Sequence, residues 1–329
     1  MSHSLNHQFQ RAILSCYVKN MDKHAIKKDG GLGSYKIYSA SDCNNLIDLA
    51  KNLSGFIKIN YPQVKLVKQI SQAQCQAFLE SKTDACSQET LKQYANRLRK
   101  LAKILYHTFG VHVNFSCSVP MSNVTEKYRN IIMIREDLNT ILSAVRNCQS
   151  KTALLLSAET ALRITSLVKL RVCDVDFEKK TLHIHKDKGG RSRDIELTET
   201  ALVILRNSCK GKNPRDYLFP SRQGNSHLSA NSVNRFLHEN ALKCGITKYA
   251  YAKTGNHSIR KMAAQEYLAR LVYERGIPID KAVSMTMFYL GHSSDRPKLR
   301  KIYLREFLQD YLKSHPQESN LLPKKGRRS

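Results

Sequence analysis

The sequence predicts a mainly α-helical protein of two domains, α+β in class through one small β-hairpin set into the second domain. Three observations carry this. Apolar residues recur at three- and four-residue spacing along most of the chain. Between residues 181 and 197 the period drops to two, around the Gly-Gly pair at 189 and 190. The 329 residues are enough for two separately buried cores.

The elements follow in order. A short N-terminal helix leads into 22 to 36, DKHAIKKDGGLGSYK, whose charges and Gly30, Gly31 and Gly33 read as a loop. These glycines lack the strand-then-helix context of a phosphate cradle. From Ser39 the text turns helical, with Leu46, Leu49, Ala50 and Leu53 on one stripe, and 71 to 80 opens a further helix. The clearest helix of the first half runs from 87 to 107, with Leu91, Tyr94, Leu98, Leu101 and Leu105 as its apolar stripe. Lys92, Asn96, Arg99 and Lys103 line a neighbouring face, which suits either a nucleic-acid backbone or plain solvent. Residues 110 to 130 lose the period, carry Pro, Asn and Ser, and read as the connector.

Beyond the connector, 135 to 146 is amphipathic through Leu138, Ile141, Leu142 and Val145, and 152 to 162 is apolar almost all round, as a buried helix is. Alternation at 181 to 185 and 194 to 197 then makes the hairpin. Helices are expected again at 198 to 208, 229 to 243, 257 to 271, 279 to 289 and 297 to 312. The expected domains are 1–120 and 121–313, with 314–329 as a basic, disordered tail.

Composition bounds the function. The chain holds 54 Lys and Arg against 27 Asp and Glu, a net charge of +27, with an isoelectric point near 9.8. A field of that sign collects polyanions, so nucleic acid is the leading expected partner. Nine cysteines are scattered without a C-x-x-C pair, which argues against both a disulfide framework and a zinc site, and most read as small core residues. Nowhere do about 18 consecutive apolar residues occur, and the N-terminus lacks a basic stretch leading into an apolar run. A soluble, cytoplasmic protein with no membrane partner is expected.

From residue 161 to 303 the chain spells out Arg163, Lys188, His257, Arg260, His292 and Tyr303. Arginine presents a planar fork to phosphate oxygens, histidine and lysine move protons, and a tyrosine hydroxyl can attack. His257 and Arg260 lie three apart, so one helical turn aims both the same way. His292 follows Gly291, which frees a sharp turn. No metal and no cofactor enter this chemistry. His183 and His185 share a strand face, but nothing supplies further ligands, so that face is expected to meet solvent or nucleic acid.

Four segments, ETALRITSLVKLRVCDVDF, KDKGGRSRDIEL, HSIRKMAAQEYL and YLGHSSDRPKLRKIYL, resemble the signatures of the tyrosine recombinase, or phage integrase, family in the family's order. The resemblance spans roughly residues 135 to 312. Residues 1 to 130 resemble the family's helical core-binding domain only in size, position and helical content. The resemblance implies that Arg163 and Arg260 clamp the scissile phosphate and that Lys188 protonates the departing 5′ oxygen, with Lys186 as its rival. His257 handles a proton, His292 stabilises developing charge, and Tyr303 is the nucleophile, with Tyr311 as its alternative. A phenol of ordinary pKa, about 10, needs nearby cations or a base to attack.

Double-stranded DNA recombination sites are the implied partner, four protomers the implied assembly, and accessory DNA-bending proteins a further partner class. The source is expected to be bacterial or a mobile element. Lys92, Arg99, Lys103, Arg191 and Arg193 are the expected DNA contacts. The chain departs from the family where Ser166 stands in place of a common acidic residue, so it cannot offset positive charge there. Delivery of Tyr303 within one subunit or across an interface stays open. Phe307, Leu308 and Leu312 would suit docking on a neighbour. A type IB topoisomerase-like or telomere-resolvase activity is the second enzyme reading, and a non-catalytic DNA-binding regulator the third.

Overall fold

Hydroxyl caps set the helix starts. In the computed structural model, which describes residues 4–19, 33–124, 131–185, 192–250, 255–292 and 297–321, the side chains of Ser4, Ser39, Ser71, Ser87 and Thr198 each accept an N–H two or three residues into the helix that follows. Each such cap contributes about 1 kcal/mol. The chain divides into two compact units between residues 127 and 128.

The first unit contains α1 (Leu5–Ser15), α2 (Ala40–Asn60), α3 (Gln72–Glu80) and α4 (Gln88–Phe109). Phe9, Ile13, Leu46, Leu53, Phe78, Leu98 and Leu101 meet in its core. Of the expected α4 stripe, Leu91, Leu98, Leu101 and Leu105 are buried and Tyr94 is half-buried. α4 ends at Gly110, whose φ of 65 supplies the left-handed turn a helix stop requires.

Past Gly110 the expected connector behaves otherwise than its composition suggests. Phe115 is buried in the first unit's core, and Val113, Cys117 and Val119 pack against it. Its backbone is held by side chains of the unit: Gln72 donates to the Ser116 carbonyl (2.6 Å) and Gln88 to that of Pro120 (3.1 Å). Residues 110 to 124 are therefore an extended wall of the first unit. Most of the expected loop at 22 to 36 lies outside the described residues.

The second unit is built on α11 (Gly255–Ala269), which packs on α6 (Gln149–Thr160), α9 (Ala230–Lys243), α12 (Ile279–Tyr289) and α13 (Pro297–Tyr303). α5 (Arg135–Ser143), the single-turn α7 (Ile164–Leu167), α8 (Glu199–Cys209), the short α10 (Thr247–Ala250) and α14 (Arg305–Ser314) complete its helices. The hairpin forms as expected from β2 (Thr181–Ile184) and β3 (Arg193–Glu196), antiparallel with Leu182 opposite Ile195. A two-residue strand not foreseen, β1 (Val175–Asp176), pairs with β2. Leu182, Ile184 and Ile195 point into the core, which leaves His183 and His185 on the outer face.

Further expectations change. The single helix expected over 297 to 312 is two, broken at Leu304 (φ −121, ψ 7). Part of the tail expected to be disordered forms a 3-10 turn, Pro316–Leu321, with Leu321 buried in the core; residues 322 to 329 lie outside the described residues. Leu308 is fully buried in its own unit, so it is not available to a neighbour, while Phe307 and Leu312 are half-buried beside that core. Of the nine free cysteines only Cys16, Cys43 and Cys75 are buried, fewer than expected. No helix among the described residues is long and apolar enough to cross a membrane.

Candidate active site

Tyr303 is the last residue of α13 and 6% exposed. Its ring packs edge-on against His257, with centroids 5.3 Å apart, and lies 5.4 Å from the ring of His292. The guanidinium carbon of Arg260 sits 5.4 Å from the same ring centre. Four residues spread over 47 positions of sequence thus share one pocket. That arrangement puts a cation over the ring and two imidazoles against it.

Arg260 is 1% exposed, so its charge needs partners. Two of its donors go to backbone carbonyls, those of Ala161 and Leu290. Both lie at helix C-termini, of α6 and α12, where carbonyls lack intrahelical partners and the helix dipole is negative. Arg260 therefore ties together the turn that leads to Arg163 and the turn that leads to His292. A guanidinium carries five N–H donors, so two carbonyl bonds do not use up its capacity.

Arg163 is the N-cap residue just before α7 and is half-buried. Its approach is fixed from α11, where Arg260 holds the carbonyl of Ala161 and Asn256 donates to that of Leu162 (3.4 Å). Ser166 donates its backbone N–H to the Arg163 carbonyl (2.9 Å). His292 is delivered by a turn in which Gly291 has φ 74 and the His292 N–H reaches the Met287 carbonyl (3.0 Å).

The start of α11 is shaped by close approach. Gly255 has φ 45, and a Cβ there would come 2.5 Å from Asn234 Oδ1. The same oxygen accepts the N–H of Asn256 (2.8 Å), while His238 Nε2 accepts that of Gly255 (3.2 Å). Burial holds the His238 imidazole below its usual range, which keeps it neutral and able to accept. His257 follows in the first turn, at the positive end of the helix dipole.

The alternative tyrosine, Tyr311, and the nearby Tyr289 make other contacts. Tyr289 stacks on Tyr267 (4.0 Å) and donates to the Glu159 carbonyl, and burial pushes its phenol well above the ordinary range. Tyr311 stacks on His315 (4.1 Å), and burial raises its phenol as well. Lys188, its rival Lys186, and Arg191 lie outside the described residues.

Lys92, Arg99 and Lys103 are exposed along one side of α4, with Asn96 accepting from Arg99 (2.8 Å). Arg193 begins β3 and is half-buried. His183 and His185 are paired with Asp194 and Asp174 (2.6 Å each), and among the described residues no group of three or more His, Cys, Asp or Glu could hold a metal.

Several residues of this site were not foreseen. Asn256, His238 and Asn234 shape the start of α11, and Lys261, 2% exposed, adds a second buried cation beside Arg260. Gln265 on α11 bonds the backbone around Tyr303. No local pattern marks Lys261 or Gln265, because α11 carries polar residues along its whole length.

The sequence pattern of the phage integrase family matches residues 132–308, more than half of the chain, including Arg163, His257, Arg260, His292 and Tyr303. The chain belongs to the phage integrase family. Among curated members of the family, tyrosine recombinase XerA of Pyrococcus furiosus is 30% identical over 177 residues, covering 53% of this chain and 56% of that protein. The chain thus spans little more than half of that relative's length. The fold is also that of solved structures. The XerH site-specific recombinase bound to difH substrate, a pre-cleavage complex, has a TM-score of 0.56 at 17% identity, covering 92% of this chain and 95% of that one. A lambda integrase tetramer bound to a Holliday junction has a TM-score of 0.53 at 16% identity, covering 100% and 80%. This chain joins a three-stranded antiparallel sheet to a mainly helical scaffold.

Proposed function

We propose that this phage integrase family member is a site-specific DNA recombinase that cleaves and rejoins DNA through a covalent tyrosine link. The observation that carries the reading is the packing of the Tyr303 ring against His257, His292 and Arg260 in one pocket. The net charge of +27 supports a polyanionic substrate.

In this reading Tyr303 Oη attacks a backbone phosphorus while the bond to the 5′ oxygen breaks. The phenolic proton passes to His257, and Lys188 protonates the departing 5′ oxygen. Arg163 and Arg260 hold the non-bridging oxygens, and His292 stabilises the charge that grows on them in the transition state. A 5′ hydroxyl from the partner strand then attacks the phosphotyrosyl link and frees the phenol. One phosphodiester replaces another, so the energy of the broken bond is conserved without ATP. Four protomers around paired sites, as in the lambda integrase tetramer, are the proposed assembly.

The test uses duplexes selected from a randomised library by retention on the wild-type protein, then nicked so that cleavage is trapped. Wild-type protein should form a covalent adduct and Tyr303→Phe should not. An adduct of unchanged yield with Tyr303→Phe would overturn the assignment.

A further inference from the structure

The break between α13 and α14 falls one residue after Tyr303, at Leu304. A break of this kind exposes the last carbonyls of one helix and the first N–H groups of the next. Leucine has no side-chain atom that can cap either set, and no side-chain cap is present at Leu304. The partners come instead from α11. Gln265 Nε2 donates to the Tyr303 carbonyl (3.0 Å) and to Glu306 Oε2 (3.1 Å), while its Oε1 accepts the N–H of Phe307 (3.2 Å).

One carboxamide thus caps the end of α13 and the start of α14 together. Only an amide side chain has both the donors and the acceptor this requires; a carboxylate lacks the donors, and lysine or arginine lacks the acceptor. α11 also carries His257 and Arg260, which flank the Tyr303 ring. Ring and backbone of Tyr303 are therefore both referenced to one helix of the same chain.

We propose that Gln265 is a positioning residue that holds Tyr303 in its own subunit's site, so that the nucleophile acts in cis. This rests on the reading of Tyr303 as nucleophile. Misplacing a reacting atom by about 1 Å can cost on the order of 10²-fold in rate. A cap that served stability alone would change melting without changing chemistry at saturating DNA.

The experiment measures single-turnover adduct formation on the library-selected, nicked duplex. Gln265→Ala and the isosteric Gln265→Glu, which keeps the acceptor but loses both donors and faces Glu306, should each slow adduct formation by about 10²-fold at saturating duplex, with half-saturation unchanged. The second variant covers a folding failure of the first. Mixing Tyr303→Phe with Arg163→Ala should yield no adduct beyond that of each alone; an adduct in the mixture would mean delivery in trans and overturn the proposal. So would wild-type rates in both Gln265 variants. Should Tyr303→Phe itself form adduct, the nucleophile reading fails instead. Hydrogen exchange at the Phe307 amide then decides the clamp, which is supported if protection falls in Gln265→Ala and overturned if it does not.

Discussion

Arg260 donates to the carbonyl of Ala161, and Ala161 sits in the left-handed region, at φ 49 and ψ 24. A non-glycine residue there costs roughly 1–2 kcal/mol. Glycine would relieve that cost but lose about 0.4–1 kcal/mol to unfolded-chain entropy and about 0.8 kcal/mol from the buried methyl. The terms nearly cancel, so Ala161→Gly should leave the urea midpoint almost unmoved. Ala161→Val keeps the strain, adds a branch and overfills a site that is 1% exposed. It should cost roughly 2 kcal/mol or more. Equal midpoints for the two variants would mean that this turn does not constrain the path to Arg163.

The same guanidinium bridges the ends of α6 and α12, which makes it a structural member as well as a proposed phosphate clamp. Lysine keeps the charge but concentrates its donors on one nitrogen, which cannot serve two separate carbonyls in a fixed fork. Arg260→Lys should therefore lower unfolding stability by roughly 1.5–3 kcal/mol in denaturant melts, the range for a hydrogen bond to a charged group. Adduct formation should fall as well. Unchanged stability would show that the two carbonyls find other donors at no cost.

What could be read in advance divides along the range of the forces involved. Ser39, Ser71 and Ser87 announce their helices because a cap and a 3.6-residue stripe are written within a few positions of each other. Leu304 does not announce its break. Its neighbours continue the helical period, and the bonds that end α13 come from Gln265, about forty residues earlier. Phe115 is similar, since a stretch rich in Pro, Asn and Ser reads as a linker until its one aromatic finds the first unit's core. The site residues Arg163, His257, Arg260, His292 and Tyr303 were singled out through resemblance to a family. Spacing alone does not distinguish Tyr303 from Tyr289 or Tyr311, and all three are about equally buried; their ring contacts differ. Arg260 was expected to address phosphate, and its ties to two carbonyls depend on chain reversals that no local pattern records.

On the first unit, Lys92, Arg99 and Lys103 form an exposed cationic line on α4. If that line tracks a DNA backbone, removing its charge weakens binding to all sequences alike and releases fewer counterions. Replacing all three with alanine should flatten the log–log dependence of affinity on salt by about 2–3, since each neutralised phosphate contributes about 0.9. A slope equal to wild type, measured by fluorescence anisotropy on one duplex, would leave α4 as a solvated face.

His238 offers a pH test of how the start of α11 is held. Its Nε2 accepts the Gly255 N–H only while the ring is neutral, and burial depresses its pKa in the folded state. The unfolded chain, with an imidazole pKa of about 6.5, then binds the proton more readily than the folded one. The His238 contribution is accordingly present above about pH 6.5 and lost as pH falls through the lower folded value. His238→Gln supplies an acceptor that does not titrate. Between pH 7.5 and pH 5 the wild-type melting temperature should fall further than that of His238→Gln, by roughly 2–4 °C. Parallel melting curves would show that the proton on His238 does not govern the first turn of α11, the turn that places His257 against Tyr303.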